Sequence, residues 1–134
     1  MRSFDLKIAT PDGAEFEGQV ESLLVRTAEG DAEILAGHTD FLSALGTGRV
    51  RIIVDGKIRL ASASGGFVTV KNGEVSLICT TFEFADDIDI KRAKAAKEKA
   101  EEALSHSSNT KSEALLKAKL ARAINRINVW ELNK

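Results

Sequence analysis

The chain has 134 residues, 43% of them apolar and 29% charged, with 19 Lys and Arg against 20 Asp and Glu for a net charge of −1. That is room for one ordinary domain, or for a domain of about 85 residues with a helical appendage; the composition argues against wholesale disorder, and the charge gives no global reason to expect nucleic acid. Cys79 is the only cysteine, which excludes an intrachain disulfide and a four-thiolate zinc site. The start MRSFDLKIAT has no apolar signal core, and nowhere is there a run of about 18 apolar residues able to cross a bilayer. A reducing cytoplasm is the expected compartment, with any membrane association made through a partner.

From Phe4 to Phe84 the dominant period is two. Phe4, Leu6 and Ile8 alternate with Asp5 and Lys7, Val50, Ile52 and Val54 with Arg51 and Ile53, and Val75, Leu77 and Cys79 with Ser76 and Ile78. Turn signals fall at PDG (11–13), AEG (28–30), AGHTD (36–40), GTG (46–48), DGK (55–57), SGG (64–66) and NG (72–73). They leave strands of roughly five to eight residues, the spacing of an antiparallel sandwich or barrel. Asp55-Gly56 and Asn72-Gly73 predict type I′ hairpins, whose two central residues both need positive φ.

After Asp86 the period becomes helical, and the only proline, Pro11, lies far upstream. Ala93, Ala96, Ala100 and Ala103 or Leu104 recur at three- and four-residue steps, predicting an amphipathic helix of about 17 residues, roughly 25 Å long. SHSSNT (105–110) interrupts it, and Thr110-Lys111-Ser112-Glu113 reads as a capping box opening a second helix. The second apolar stripe is Leu116, Leu120, Ala123 or Ile124 and Ile127, ending near Trp130. Alanine on one helix admits Leu and Ile from the other, so the pair is expected to form an antiparallel hairpin. Charge divides along the same line: residues 1–85 hold 8 basic against 12 acidic side chains, and residues 86–134 hold 11 against 8. A basic tail on an acidic body suits an acidic partner surface or phosphates.

Catalytic chemistry is poorly represented. There is no P-loop, Gly46-Thr47-Gly48 lacks the third glycine of a dinucleotide fingerprint, and ASASGG is not a nucleophile elbow. His38 and Asp40 have no further His or Cys ligand nearby, so the reading of AGHTD is a turn whose histidine bonds backbone carbonyls. Cys79 is in phase with Val75 and Leu77 and is expected to be a buried small hydrophobe. Trp130 is assigned to the hairpin core over a partner anchor. Neither a catalytic residue nor a metal ligand is assigned.

The stretch DDIDIKRAKAAKEKAEEAL (86–104) carries the most information. Asp89 and Arg92 are three apart, and Arg122 and Arg126 four apart, so each pair shares a helix face. An antiparallel hairpin returns the end of the second helix beside the start of the first. Three guanidinium groups and one carboxylate can then converge, as a nucleotide requires: arginines for phosphates, a carboxylate for ribose hydroxyls or an exocyclic amine. The competing reading is structural, with Asp89 complementing the helix dipole and pairing with Arg92 or Arg126.

EGDAEILAGHTDFLSALGTG (29–48), SGGFVTV (64–70) and residues 86–104 together resemble the epsilon subunit of bacterial F-type ATP synthase, which corresponds to the delta subunit of mitochondria. The resemblance covers nearly the whole chain. It departs from the family at Ala36 and Asp40, which stand where prolines are common, and this predicts a looser loop. It implies an α+β fold, with an N-terminal antiparallel β-sandwich over residues 1–85 and a C-terminal antiparallel two-helix hairpin over residues 86–134. It also implies a non-catalytic central-stalk subunit at the cell membrane, peripheral on the cytoplasmic side. Its sandwich would bind the gamma subunit and the c-ring. Its helices would fold onto the sandwich, or extend toward the alpha and beta subunits and impede ATP hydrolysis. Ile88-Asp89-Ile90-Lys91-Arg92-Ala93 matches the I/L-D-x-x-R-A pattern of members that bind ATP as a regulatory ligand; no cofactor is required. Arg122 and Arg126 match second-helix arginines of those members, and Glu83 matches an acidic contributor. The ATP-binding set so implied is Glu83, Ile88, Asp89, Arg92, Ala93, Arg122 and Arg126. Two further readings compete: a free-standing ATP-binding sensor without a rotary partner, and an adaptor whose basic helices hold nucleic acid. The last is disfavoured because no aromatic stacking platform accompanies the lysines.

Overall fold

The computed structural model describes residues 2–134. Strands β1 (Phe4–Thr10), β2 (Gly13–Val20), β3 (Ser22–Thr27), β4 (Gly30–Leu35), β5 (Phe41–Ala44), β6 (Gly48–Val54), β7 (Lys57–Ser64), β8 (Phe67–Lys71), β9 (Glu74–Ile78) and β10 (Thr81–Phe84) precede a 3-10 turn at Ala85–Asp87 and helices α1 (Ile90–Ser105) and α2 (Thr110–Leu132). The strands form two five-stranded sheets, ordered β2-β1-β9-β8-β5 and β10-β7-β6-β3-β4. The N-terminal β-sandwich and the helical hairpin are thus both present.

Period-two alternation does what it should. Phe4, Leu6 and Ile8 are buried while Asp5 and Lys7 are exposed, and Leu23, Val25, Ile34, Val50, Ile52, Val68, Val70, Val75 and Leu77 complete one core between the sheets. Cys79 belongs to this core, and burial pushes its thiol up to about 12, so it is held as an uncharged thiol. Both residues of Asp55-Gly56 (φ 52° and 76°) and of Asn72-Gly73 (φ 52° and 80°) adopt positive φ, as the type I′ hairpins require. Gly66 is fixed for a different reason. Its φ is 90°, and a Cβ there would run into the Ile78 carbonyl of the neighbouring strand.

Two features depart from the expected pattern. Strands β1 and β9 pair in parallel, through Leu6↔Val75 and Ile8↔Leu77, because the chain leaves for the second sheet and returns before β9 is laid down. The first such crossing occurs at Glu21, without glycine or proline. There the Glu21 amide donates to the Ile53 carbonyl (2.8 Å) and its carboxylate accepts from the Gly56 amide (2.9 Å), replacing turn chemistry with long-range bonds. The AGHTD loop is tied down as well: Asp40 Oδ1 accepts from the Asn72 amide at 3.0 Å, and His38 Nδ1 lies 2.7 Å from the Thr39 carbonyl oxygen. The carboxylate that replaces a proline therefore pins this loop to the β8–β9 turn instead of loosening it.

The hairpin is folded back on the sandwich, with α2 against β6, β7 and the 3-10 turn. Ala93 and Ala100 on α1 and Ala123 on α2 are buried, while Leu116, Leu120 and Ile127 are partly covered. Ala96 is exposed, contrary to the stripe expected for α1, and Lys97 is half-buried in its place. The register 93-97-100-104 follows 3.6 residues per turn, and the apolar stem of Lys97 takes the place expected for Ala96. The capping box is also displaced by one residue. Asn109 is the N-cap of α2, accepting from the amides of Lys111 (2.9 Å) and Ser112 (3.3 Å), and Thr110 is the first helical residue. Asparagine caps at least as well as threonine and lies one position earlier, which leaves Glu113 beyond reach of a capping box.

Candidate functional site

The site is assembled where the sheet hands over to the helices. Strand β10 delivers Glu83, the 3-10 turn follows at once, and Asp89 opens α1 by accepting from the Arg92 amide at 3.1 Å. The structural reading of Asp89 is therefore realised as an N-cap, and its carboxylate still lines a cleft. That cleft, about 250 Å³, is bordered by Glu83, Asp87, Asp89, Arg92, Ala93 and Arg126. A second cleft of about 200 Å³ shares Glu83 and Arg126 and continues past Ser62, Thr80 and Thr81 toward Asp12 and Glu15. The Glu83–Arg126 ion pair, 3.4 Å, stands between the two.

The hairpin brings five of the seven expected residues to the first cleft: Glu83, Asp89, Arg92, Ala93 and Arg126. The other two are elsewhere. Ile88 is buried with Ala85 and Val129, packed by Leu60 and Trp130, so it anchors the joint between the domains. Arg122 is half-buried one turn before Arg126, toward the hairpin tip, and does not border the cleft. Asp87, which spacing did not single out, joins because the 3-10 turn directs it to the same space. Trp130, partly buried, packs against the joint, with Lys134 Nζ 4.0 Å from its ring centroid.

The electrostatics are mixed. Three carboxylates face two guanidinium groups in the cleft. Partial burial holds the Glu83 carboxyl above its usual range; Arg126 and Arg92 pull it down, while Asp87 and Asp89 push it further up. Such a lining suits hydroxyl and amine donors as well as an anionic edge. Among the described residues no group of three or more His, Cys, Asp or Glu is arranged to hold a metal ion, and no helix is long and apolar enough to cross a membrane.

Below the site, α2 is fastened to the sheet by polar contacts. Asn125 Nδ2 donates to the Gly48 carbonyl at 2.9 Å and to Ser62 Oγ at 2.8 Å. Asn133 Nδ2 donates to Asp86 Oδ1 at 2.9 Å. Neither asparagine was visible as functional in the sequence, since asparagine in a helix has no periodic signature.

Comparison with known proteins covers both parts of the chain. Residues 3–85 match the family described as ATP synthase, Delta/Epsilon chain, beta-sandwich domain, and residues 86–131 match ATP synthase, Delta/Epsilon chain, long alpha-helix domain. The ATP synthase epsilon chain of Bacillus pumilus is 39% identical over 129 residues, 96% of this chain and 98% of that protein. That of Caldicellulosiruptor bescii is 35% identical over 134 residues, 100% of this chain and 98% of its own length. Among solved structures, a chain of the Euglena gracilis mitochondrial ATP synthase (OSCP/F1/c-ring) superposes with a TM-score of 0.80 at 25% identity, over 92% of this chain and 78% of that one. With two consecutive domain matches and relatives aligned end to end, this chain belongs to the ATP synthase delta/epsilon chain family.

Proposed function

We propose that the chain is the epsilon-type rotor subunit of a bacterial F-type ATP synthase, non-catalytic and peripheral on the cytoplasmic side of the membrane. Its sandwich holds the gamma subunit and the c-ring, and its helical hairpin regulates ATP hydrolysis. The observation that carries this reading is the end-to-end match to epsilon chains in the order sandwich, then helices. The rotor assignment is tested by copurification with gamma. The regulatory role is tested by deleting residues 86–134 from the assembled enzyme: hydrolysis should rise, and an unchanged rate removes inhibition from the account.

In this reading the folded hairpin is the ATP-responsive state. The cleft of about 250 Å³ is below the about 300–1,000 Å³ usual for small-molecule sites, so ATP would not fit inside it whole. The carboxylates of Glu83 and Asp89 accept bonds from the adenine amine and ribose hydroxyls within the cleft. The polyphosphate leaves along α2 past Arg92 and Arg126, and Arg122 lies one turn further on the same face. A ligand at 100 times its dissociation constant favours the state it selects by about 2.7 kcal/mol. That suffices because the hairpin is held by few groups. Val129 is the fully buried apolar side chain that α2 presents to the joint, and polar contacts supply much of the rest. Extended helices, with 11 basic residues against 8 acidic in residues 86–134, are drawn toward acidic surfaces of the alpha and beta subunits, a pull that weakens with salt.

A further inference from the structure

We infer that Asn125 is the positioning residue that builds the nucleotide cleft, fixing the register of α2 on the sheet so that the next residue, Arg126, meets Glu83. The inference rests on the proposed ATP site and adds to it the group that assembles it.

Asn125 stands at the middle of the contact between α2 and the sandwich. One amide hydrogen goes to a backbone carbonyl at the start of β6 and the other to a hydroxyl near the end of β7, 77 and 63 residues away in sequence. The two acceptors belong to adjacent strands, in which Arg49 lies opposite Ser62 and Gly48 opposite Ala63. An NH2 group that reaches both fixes α2 along the strands and across them at once. A carbonyl can only accept, so the orientation of the side-chain amide is determined by chemistry. The apolar contact of Val129 with Ala85 and Ile88, flanked by Leu60 and Trp130, is non-directional, whereas hydrogen bonds to two fixed acceptors define a position.

Arg126 follows directly. Stepping 100° around the helix from Asn125 turns its side chain to the cleft side, where its Nε lies 3.4 Å from Glu83 Oε1. Ser62 borders the neighbouring cleft along with Glu83 and Arg126, so the lock and the site share a wall. If α2 lifts or shifts, the cleft loses Arg126 and ceases to exist as a two-helix site. The nucleotide therefore binds only the locked state, and its apparent dissociation constant equals the intrinsic one divided by the locked fraction.

The test uses the full chain carrying Ser108→Cys on the hairpin tip and Lys71→Cys at the end of β8 beside the β8–β9 turn, both exposed positions, labelled with spin probes. The buried thiol of Cys79 does not compete for the label. The distance distribution is measured with and without ATP, and ATP affinity by calorimetry, for wild type, Asn125→Ala and Ser62→Ala. Two hydrogen bonds of ordinary net strength correspond to an opening constant raised about 30-fold in Asn125→Ala, with a smaller rise in Ser62→Ala. ATP affinity should fall by no more than that factor, and by the amount the measured locked fractions dictate. Saturating ATP should restore the wild-type distance in Asn125→Ala, a rescue that a damaged fold would not show. Unchanged distances in Asn125→Ala overturn the lock, as does an affinity loss at constant locked fraction, which would make Asn125 a direct contact. Absence of ATP binding in wild type refutes the nucleotide site itself, and is distinguished by the ATP-free distances, which still report the lock.

Discussion

The hairpin's grip on the sandwich can be weakened at one apolar side chain. Val129 is 1% exposed and packs against Ala85 and Ile88 at the joint. Val129→Ala removes two buried methyl groups, about 1.6 kcal/mol at about 0.8 kcal/mol each, and a residual cavity brings the total to about 2 kcal/mol. The loss falls on the docked state alone, because the opened hairpin exposes this position to water. The opening constant should therefore rise about 30-fold. Spin-label distances between the hairpin tip and the β8–β9 turn measure it. Leu115→Ala serves as the control, since Leu115 is 64% exposed and should change nothing. A Val129→Ala chain that stays docked like wild type, or whose sandwich melts earlier by the full amount, would refute a thin and separable interface.

Further expectations follow from individual groups. Asp89→Ser keeps an N-cap and withdraws the carboxylate, so helix content by circular dichroism should hold while ATP affinity falls; Asp89→Ala should lose both, with about 1 kcal/mol of helix stability. Because burial raises the docked-state pKa of Glu83 above its ordinary range, protonation favours docking. That contribution is fully present below the ordinary carboxylate range and is lost as pH rises through the raised value. The docked fraction of wild type should thus fall over this acidic window, and Glu83→Gln should flatten the profile; an identical slope in the variant would contradict the assignment. Gly66→Ala forces a side chain into left-handed backbone and against the Ile78 carbonyl, and should destabilise the sandwich by more than about 2 kcal/mol in thermal melts. Cys79 should resist thiol reagents at pH 8 until the chain unfolds, since burial pushes its thiol up to about 12.

Much of the fold was legible because local and global signals agree. The alternation of Phe4, Leu6 and Ile8 with Asp5 and Lys7 fixed a face, and Asp55-Gly56 and Asn72-Gly73 fixed two hairpins. What stayed hidden is long-range. The turn into the second sheet at Glu21 depends on bonds to Ile53 and Gly56, more than 30 residues away, and the parallel β1–β9 pair depends on where the chain returns. The site was legible to the extent that helical spacing and an antiparallel hairpin bring Asp89, Arg92 and Arg126 together. Spacing could not tell that Arg122 stays one turn outside, because that depends on where along its length α2 meets the sheet. The residue that decides this, Asn125, carries no pattern, and Ile88 reads the same in sequence whether it lines a ligand or packs a joint.

The proposed role of the folded hairpin is to form an ATP site. Calorimetric titration of ATP into the full chain and into Arg126→Ala measures this directly. One saturable site in the wild type, weakened at least about tenfold without the Arg126 guanidinium, is the expected result. No saturable heat in wild type, or equal affinity in the two proteins, would contradict it.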